Sequence, residues 1–415
     1  MRKSVKIRKI IYEILIHIYE KSSNYEQSFL IFTNKTNLNE QERSMIYNIS
    51  LNSMRLNLFI SSIIKKYLKK RTKNKIKMLL LSAITQIIYL DFKDYAVTND
   101  TVEIAKLKNL NPGLVNSLLK NIIRDRQLLK VNDLDYDFIP KWFLNALKNY
   151  EINLGKFFRS ISKEPSLHLV FKNEKFLINF KEKHIKTSKI SAFIIDNSKI
   201  SEIDNYAKGQ WWVQDFSSML PIHLSPEIKS KNIIDLCSAP GGKAFQAITM
   251  GGKLNLNEIS LKRIKILKEN LNRLCLKAKI TNSDALILPE QHKFDIVILD
   301  APCSGIGTVR RNPEILFKKN QPSFAKLNEI QSSLILKASK LLKTKGILIY
   351  MVCSFFYDET IGIKKNFLKE NKFNLSKKNE LLKFVNSEGD ICCAPSKYKN
   401  YMVDGFYTVK FIKND

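Results

Sequence analysis

The sequence predicts an α/β catalytic domain with a mostly parallel, doubly wound sheet, preceded by an all-α helical bundle and a small α/β linker domain. Apolar residues recur at helical spacing through roughly the first 125 positions. Strand-like and helix-like stretches alternate from Lys231 onward. Only Gly113 and Gly155, of 13 glycines, precede residue 209, so tight turns concentrate in the second half. These observations place the domains at 1–135, 136–228 and 229–415.

The helical bundle is predicted from amphipathic stretches and their end signals. In the first helix one face carries Val5, Ile7, Ile10, Ile11, Ile14, Leu15 and Ile18. Further helices are predicted at about 40–70, where Asn39 can cap, and at about 73–91 and 95–107. Asn111-Pro112-Gly113 interrupts the helical pattern, and another helix is predicted after it.

The predicted linker domain mixes short helices and strands. Pro140 and Trp142 open a helix that reaches about Tyr150. Strands are predicted at 167–171 and 190–195, with a lysine-rich helix between them. Another strand covers 211–215 and leads into a helix near 217–220. We expect the paired tryptophans Trp211 and Trp212 in the core or over a ligand cleft, not as base-stacking platforms.

The net charge of +30, with a pI near 9.7, favours a polyanionic partner. Ribosomal RNA, transfer RNA, DNA and anionic membrane are the candidates. Coding bias is the alternative explanation, because the lysines occur in a chain also rich in Ile and Asn. One dense run of basic residues is either a surface that binds the phosphates of a nucleic acid or a solvated helix end and loop. It comprises Lys65, Lys66, Lys69, Lys70, Arg71, Lys73, Lys75 and Lys77.

Cysteine usage and the N-terminus favour a cytoplasmic protein. The six cysteines show no CxxC pair, so neither a metal site nor a disulfide framework is expected. Glu13 and Glu20 interrupt the apolar run after the basic N-terminus, which indicates an amphipathic helix and not a signal peptide. The longest apolar stretch, 78–90, is too short to span a bilayer.

Residues 233–243 form the stretch around which the catalytic domain is organised. An apolar strand ends at Asp235, a loop follows at Pro240-Gly241-Gly242, and a helix begins near Lys243. Such a turn lets backbone N–H groups and a helix N-terminus approach a nucleotide-like cofactor. A phosphate-binding GxxxxGK[ST] loop is excluded, because positions 237 and 244 are Cys and Ala. The absence of GxGxxG weakens a nicotinamide interpretation.

Acidic residues follow the next strands. The second predicted strand, 253–257, ends at Glu258, where a carboxylate can accept hydrogen bonds from ribose hydroxyls. A short third strand ends at Ser283-Asp284, and Asp284 can accept from an adenine amino group. The fourth, 294–299, ends at Asp300, and the fifth, 346–352, ends at Cys353. Because parallel strands end at one edge of a sheet, these residues outline an adenosine site.

Two cysteines carry the predicted chemistry. Cys303 lies in Asp300-Ala301-Pro302-Cys303-Ser304-Gly305, and Cys353 lies in Met351-Val352-Cys353-Ser354. Adjacent strands would place both thiols at one cleft beside a carboxylate. A thiol is a strong nucleophile for C6 of a pyrimidine, and that addition makes C5 electron-rich enough to take a methyl group.

These motifs resemble those of RNA cytosine-5 methyltransferases that use S-adenosylmethionine. The whole chain resembles the bacterial RsmB (Sun/Fmu) family of 16S ribosomal RNA cytosine-5 methyltransferases, which have a NusB-like N-terminal domain. The resemblance also rests on Asn111 to Arg124, Trp211 to Ser217, Arg310 to Glu314 and Asp404 to Tyr407.

The resemblance implies a Rossmann-like methyltransferase domain, a NusB-like RNA-binding domain at 1–135, and transfer to a small-subunit ribosomal RNA cytosine of the 967 type. It implies that Cys353 is the nucleophile and that Cys303 assists release. Asp300 would also contact the target base, and Lys243 would orient the active site. The implied S-adenosylmethionine-binding residues are Cys237, Ser238, Ala239, Pro240, Gly241, Gly242, Lys243, Glu258, Asp284 and Asp300. The family further implies a monomer without a metal.

The chain departs from the usual family pattern at several positions. Val352 stands where Thr is usual, and Phe355-Phe356-Tyr357-Asp358-Glu359 lacks the usual proline. Ser238 and Ala244 replace the commoner Ala and Thr. None of these changes removes a chemically necessary group, so they bear on rate or loop geometry. The thiols of Cys237, Cys275, Cys392 and Cys393 are expected to be structural.

Two other functions stay open from the sequence. A transfer-RNA cytosine-5 methyltransferase shares the catalytic core, but the NusB-like front domain argues against it. An RNA-binding ribosome assembly factor with vestigial catalysis is the second. The intact Cys303, Cys353, Asp300 and Gly241-Gly242 argue against that function.

Overall fold

The computed structural model describes residues 1–68, 72–129, 134–148, 152–195, 199–376, 384–386 and 388–414. Two compact units are present: a helical unit of residues 1–164 with 309–321, and a sheet unit of residues 165–308 with 322–415. This grouping joins 136–164 to the helices and 165–228 to the large sheet. The three-domain division at 135 and 228 stays a prediction.

The helical unit is built from amphipathic helices whose apolar faces meet. They are α1 (Lys3–Lys21), α2 (Tyr25–Thr33), α3 (Glu40–Arg55), α4 (Asn57–Tyr67), α5 (Asn74–Ile84), α6 (Asp94–Leu107), α7 (Pro112–Arg124), α8 (Lys141–Lys148) and α9 (Leu154–Ile161). Asn39 caps α3 as predicted: it accepts from the Glu42 N–H at 2.9 Å, and Glu42 accepts from the Asn39 N–H at 2.9 Å. Asn111 caps α7 in the same way, accepting from the Leu114 N–H.

Two predictions for this unit were wrong in detail, and one helix was missed. The single helix at 40–70 is two helices, because the chain turns at Leu56 (φ −89°, ψ 5°) so that both α3 and α4 bury apolar side chains. The helix at 73–91 changes at Ile84 into a π-helical turn, Thr85–Tyr89, in which buried Gln86 accepts from Arg8 at 2.8 Å. Helix α2 was not predicted. No glycine or proline marks the break at Leu56, so tertiary packing decides it.

A segment distant in sequence completes the helical unit. Residues 309–321 contain the 3₁₀ turn Pro313–Phe317. The Tyr25 N–H donates to Glu314 Oε1 at 3.3 Å. Arg55 Nε donates to the Arg310 carbonyl at 3.0 Å, and Trp142 Nε1 donates to the Lys318 carbonyl at 3.0 Å. Helices α2, α3 and α8 therefore hold this segment.

The basic run is partly neutralised where it is described. Lys65, Lys66, Lys73 and Lys75 are exposed. Lys65 pairs with Asp135 at 3.5 Å and with Asp137 at 2.9 Å. Its predicted members Lys69, Lys70 and Arg71 lie outside the described residues.

The sheet unit contains two main sheets and their helices. Its first part comprises β1 (His168–Phe171), α10 (Glu174–Ile178), β2 (His184–Ser188), β3 (Ser191–Ile194), β4 (Trp211–Val213) and α11 (Phe216–His223). Its second part comprises β5 (Asn232–Asp235), α12 (Gly242–Thr249), β6 (Lys253–Asn257), α13 (Leu261–Arg273), β7 (Lys279–Thr281), β8 (Phe294–Asp300), α14 (Phe324–Lys340), β9 (Leu342–Val352), α15 (Ile361–Glu370), β10 (Phe373–Leu375), β11 (Ile391–Cys393), β12 (Ser396–Tyr398), β13 (Tyr401–Val403) and β14 (Phe406–Lys413).

The large sheet runs in the order β10-β14-β9-β8-β5-β6-β7, and β11 also pairs with β14. Strands β5 to β9 are parallel, whereas β14 is antiparallel to β9. The predicted fold class, a helical front followed by a mostly parallel sheet, is confirmed. Along β8 the side chains of Ile296 and Ile298 enter one core and those of Val297 and Leu299 enter the other. Helices or loops thus cover both faces, which explains the continuous apolar runs.

The smaller sheet corrects one prediction. Its order is β2-β3-β1-β4, with antiparallel pairing throughout. The lysine-rich segment predicted as one helix forms the short α10 and then the edge strand β2. A lysine on an edge strand, here Lys186, discourages pairing with other chains. Trp211 and Trp212 are buried as predicted, and Trp212 packs on Phe245 with ring centroids 5.9 Å apart.

In the described part of the chain, no helix combines the length and the apolarity that crossing a bilayer requires.

Buried His168 in β1 links both edges of its sheet. Its Nδ1 donates to the Gln214 carbonyl at 2.7 Å, and its Nε2 lies 2.8 Å from Thr187 Oγ1. Burial lowers the pKa of His168 to about 4. The neutral imidazole is therefore the form that the folded state favours.

We predict that this histidine makes stability depend on pH. In the unfolded chain the pKa of His168 is about 6.5, so below that pH the unfolded chain binds a proton at this imidazole and the folded chain does not. The free energy of unfolding therefore falls by about 3 kcal/mol as the pH drops towards 4. In urea titrations at pH 7.5, 5.5 and 4.5, the free energy of unfolding of His168→Asn should fall less with decreasing pH than that of the wild type. His292→Asn, at an exposed position, is the control and should keep the wild-type slope. Equal slopes for all three proteins would contradict the assignment.

Candidate active site

The predicted site residues gather at one edge of the large sheet. Strands β5, β6, β8 and β9 are parallel, so their carboxyl ends lie side by side. Asp235 and Asp300 end β5 and β8, Glu258 follows β6, and Cys353 follows β9. The register pairs Asp235 with Ile298 and Asp300 with Met351. The sequence therefore located this edge correctly.

The loop between β5 and α12 has a shape fixed by its own residues. Asp235 Oδ1 accepts from the Cys237 N–H at 3.3 Å, and Ser238 Oγ donates to the Asp235 carbonyl at 2.8 Å. Gly241 has φ +116°, and a β-carbon there would lie 2.1 Å from the Phe245 ring. Only glycine fits this position. The N-terminus of α12 follows directly, which suits a ligand with electron-rich groups.

Glu258 is buried and tied to this loop. Its Oε1 accepts from the Ser260 N–H at 3.1 Å, and its Oε2 accepts from the Ala239 N–H at 3.3 Å. Arg263, half exposed, lies 3.3 Å from Oε2 and also donates to the Ala239 carbonyl. The carboxyl group thus sits beside the loop as predicted, but with an arginine partner that the sequence did not reveal.

Two neighbouring acceptors complete this part of the site. Asp284 is half-buried and accepts from the Leu286 N–H at 3.0 Å, so it caps a 3₁₀ turn. Asn257 Nδ2 donates to the Leu236 and Ser283 carbonyls, each at 3.1 Å. Its buried Oδ1 has no hydrogen-bond partner among the residues described here. Sequence reasoning missed Asn257, although its position next to Glu258 was a signal.

Lys243 and Asp300 form a charged pair. Lys243 Nζ lies 2.6 Å from Asp300 Oδ2, and it lies 5.2 Å from the centroid of the Phe406 ring. Burial lowers the pKa of Lys243, but Asp300, Cys353 and Asp235 leave it raised overall. Burial and the charge of Asp300 raise the pKa of Asp235 to about 7, although Lys243 opposes the shift. The lysine is therefore the cation shared by two carboxyl groups.

The structure brings Cys303 and Cys353 together. They follow the adjacent parallel strands β8 and β9. A hydrogen bond with Cys353, burial, and the charges of Cys353 and Glu359 raise the pKa of Cys303 well above its usual range. Two thiols in neighbouring loops at this edge of the sheet form an arrangement that can act as nucleophile and proton acceptor in turn.

Close backbone contacts fix the position of Cys353. The Gly307 N–H donates to the Cys353 carbonyl at 3.0 Å, and the Gly405 N–H donates to the Gly307 carbonyl at 2.8 Å. A β-carbon on Gly307 would lie 2.0 Å from the Gly405 oxygen. The segment before β14 therefore supports the loop that carries Cys353.

The remaining cysteines are protonated or exposed. Burial, with the charges of Asp235, Asp300 and Glu258, raises the pKa of Cys237 to about 12, so its thiol stays protonated near neutral pH. Burial also raises the pKa of Cys392 and of Cys393. Cys275 is exposed.

Comparison with protein families decides what this site is. Residues 221–412 match the family described as 16S rRNA methyltransferase RsmB/F, and residues 5–124 match the NusB family. The chain joins a NusB domain to an RsmB/F methyltransferase domain. The predicted family resemblance is confirmed, and the RsmB/F domain is a member of a family of RNA methyltransferases.

Named relatives agree with this assignment, and solved structures share the fold. The chain is 27% identical over 359 residues to ribosomal RNA small subunit methyltransferase B of Photorhabdus laumondii, covering 81% of this chain and 84% of that protein. It is 26% identical to the Proteus mirabilis protein of the same name, covering 86% and 90%. Among structures, PH0851 gives a TM-score of 0.72 at 20% identity and covers 100% of this chain and 99% of its own.

NSun6 from Pyrococcus horikoshii, solved with SFG, gives a TM-score of 0.58 at 17% identity, covering 68% of this chain and 100% of its own. At these identities the two structures show the fold alone.

The RsmB/F domain uses S-adenosylmethionine, as predicted. The residues present fit this cofactor. The Gly241-Gly242 turn and the α12 N-terminus leave backbone donors at the strand ends. Glu258 supplies a buried carboxyl group, and the orphaned Asn257 Oδ1 is an acceptor that a donor on the cofactor can satisfy.

We predict that Gly307→Ala destabilises the RsmB/F domain. The new methyl group would overlap the Gly405 carbonyl, and both backbones would have to move, which costs at least about 2 kcal/mol. Thermal unfolding should show a lowered Tm, and methyl transfer should fall with the displaced Cys353. Gly113→Ala is the control, because its β-carbon would meet no atom nearer than 3.5 Å. Equal Tm values for the two variants would contradict the packing described.

Proposed function

We propose that the RsmB/F domain methylates C5 of a cytosine in small-subunit ribosomal RNA, with Cys353 as nucleophile and Cys303 as the release residue. The observation that carries this proposal is the placement of the two cysteines after the adjacent parallel strands β8 and β9, where the Gly307 N–H of the Cys303 loop donates to the Cys353 carbonyl at 3.0 Å. The Lys243–Asp300 pair lies at the same edge of the sheet. A site with one cysteine, or with two thiols on strands that are not neighbours, would not support this chemistry.

The proposed reaction has two halves. The Cys353 sulfur forms a bond with C6, and the electron pair of the C5–C6 double bond becomes available at C5. S-adenosylmethionine supplies an electrophilic methyl group when bound. In the second half a base takes the C5 proton, the C6–S bond breaks, and the C5–C6 double bond returns. We assign this half to Cys303, because its loop reaches the Cys353 carbonyl through the Gly307 N–H.

Asp300 is proposed to select cytosine. A carboxylate accepts a hydrogen bond from the N4 amino group of cytosine, whereas it faces a carbonyl oxygen in uracil. Lys243 Nζ holds Asp300 Oδ2 at 2.6 Å, and the Phe406 ring lies beside the ammonium. Lys243 thereby orients the acceptor. The target base has to leave its stack to reach these groups.

Cofactor binding is proposed to use the predicted set, Cys237 to Lys243 with Glu258, Asp284 and Asp300. Glu258 accepts two backbone hydrogen bonds and one contact from Arg263. A carboxylate has about four acceptor positions, so ribose hydroxyls can bind it fully only if Arg263 moves aside. Arg263 is half exposed, which permits that movement.

The proposed substrate rests on the front domain and on the relatives. The domain at residues 5–124 is of the NusB family, and the relatives from Photorhabdus and Proteus carry the name ribosomal RNA small subunit methyltransferase B. The +30 net charge suits RNA. We therefore propose a 16S rRNA cytosine of the 967 type, not a transfer RNA, as target. We also propose that the protein is a monomer and acts in the cytoplasm.

We predict that Cys303→Ala traps a covalent complex. Incubated with S-adenosylmethionine and unmodified 16S rRNA, this variant should give an RNA-sized shift that survives a denaturing gel, since bond formation proceeds and release does not. The Cys303→Ala/Cys353→Ala protein is the control and should give no shift.

Two outcomes would contradict the proposal. If wild type methylates cytosine but no adduct forms, the roles of the two cysteines are wrong. If wild type transfers no methyl group to any RNA, an assembly factor with vestigial catalysis becomes the better function.

We predict that Glu258→Gln weakens S-adenosylmethionine binding by about 10- to 100-fold, because a hydrogen bond to a charged group is lost. Calorimetric titration of the folded variant measures this change. Glu269→Gln, at an exposed position of α13, should bind like wild type. Unchanged affinity for Glu258→Gln would remove Glu258 from the cofactor site.

A further inference from the structure

Glu359 is a buried acid that neither the cofactor nor the proposed nucleophile accounts for. It lies in the 3₁₀ turn Tyr357–Glu359, in the segment that follows Cys353, and its exposed fraction is 0%. Among the described residues it has no lysine, arginine or histidine within ion-pair distance. A buried carboxyl group without an ion pair is costly unless hydrogen bonds satisfy it. Its partners therefore show what it does.

Those partners flank the other cysteine. The Ser304 N–H donates to Glu359 Oε1 at 2.7 Å, and the Ser304 hydroxyl lies 2.5 Å from Oε2. Gln331 Nε2, from α14, donates to Glu359 Oε1 at 3.2 Å and to the Pro302 carbonyl at 2.9 Å. The peptide groups immediately before and after Cys303 are thus both fastened, one of them directly to Glu359.

Glu359 is itself anchored to the strand that leads to Cys353. The Tyr350 hydroxyl donates to the Glu359 carbonyl at 3.0 Å, and Tyr350 is a buried residue of β9. A single residue therefore connects the loop of Cys303 with the strand of Cys353. Cys353 has a further support that does not involve Glu359, because its carbonyl accepts from the Gly307 N–H.

We propose that Glu359 is a positioning residue for release: by holding Ser304, it keeps the loop of Cys303 in place beside the loop of Cys353. The proposal rests on the roles of the two cysteines given under the proposed function. Loss of Glu359 should loosen the Cys303 loop more than the Cys353 loop. Release of the enzyme should therefore slow while the first bond still forms.

The test compares adduct formation with turnover in Glu359→Ala. Single-turnover methylation of 16S rRNA should stay within about 3-fold of wild type, multiple turnover should fall by about 30-fold or more, and a denaturation-resistant adduct should accumulate. These are the fold-changes expected when a positioning hydrogen bond and its loop are lost. Glu359→Gln keeps an acceptor for the Ser304 N–H and should recover most of the turnover. Asp358→Ala, at the exposed neighbouring position, is the matched control and should behave like wild type.

The outcomes distinguish failure of the Glu359 proposal from failure of the proposed roles of the two cysteines. If Cys303→Ala forms no adduct, the cysteine roles fail, whatever Glu359 does. If Cys303→Ala forms an adduct but Glu359→Ala slows single and multiple turnover equally without adduct, Glu359 is merely structural and the proposal is overturned. If Glu359→Ala does not unfold cooperatively, Glu359→Leu decides, because it fills the buried space but accepts no hydrogen bond from Ser304. Accumulated adduct in that variant supports the proposal, and wild-type behaviour overturns it.

Discussion

The parallel pairing of β8 with β9 is the constraint on which the rest of the site depends. Its register sets Asp300 beside Met351, so the loops that follow begin at the same level of the sheet. Cys303 and Cys353 meet because of this register, not because they are near in sequence. A slip of one residue would turn the side chains of one strand to the opposite face. The Gly307 and Glu359 hydrogen bonds then fix each loop in place.

Burial decides how the charges at this edge behave. Lys243 is the cation near Asp300 and Asp235, and its ammonium lies on the Phe406 ring. The pKa of Asp235 rises to about 7 because water is excluded and because Asp300 lies nearby. The site therefore holds its acids in different environments: one paired with a lysine, one raised by burial, and Glu258 held by backbone amides.

The loop that carries Cys303 continues along the backbone into the helical unit. After Cys303 the chain leaves the sheet unit at Thr308, supplies residues 309–321 to the helical unit, and returns at Pro322. Tyr25, Arg55 and Trp142 hold that segment. Removing the first 164 residues would leave these polar groups of 309–321 without their partners. The NusB domain and its neighbours are thus part of how this region folds.

The sequence by itself determined the alternation of strands and helices, the acids and cysteines at strand ends, and the Asn39 cap, because these follow from local periodicity and from side chains a few residues apart. The bounds of β6 match the predicted strand at 253–257. Only the tertiary structure decided the turn at Leu56, the edge strand β2, the Arg263 contact with Glu258 and the bond from Ser304 to Glu359. Each of these depends on packing or on partners brought together by the fold, and local spacing carries no information about such partners.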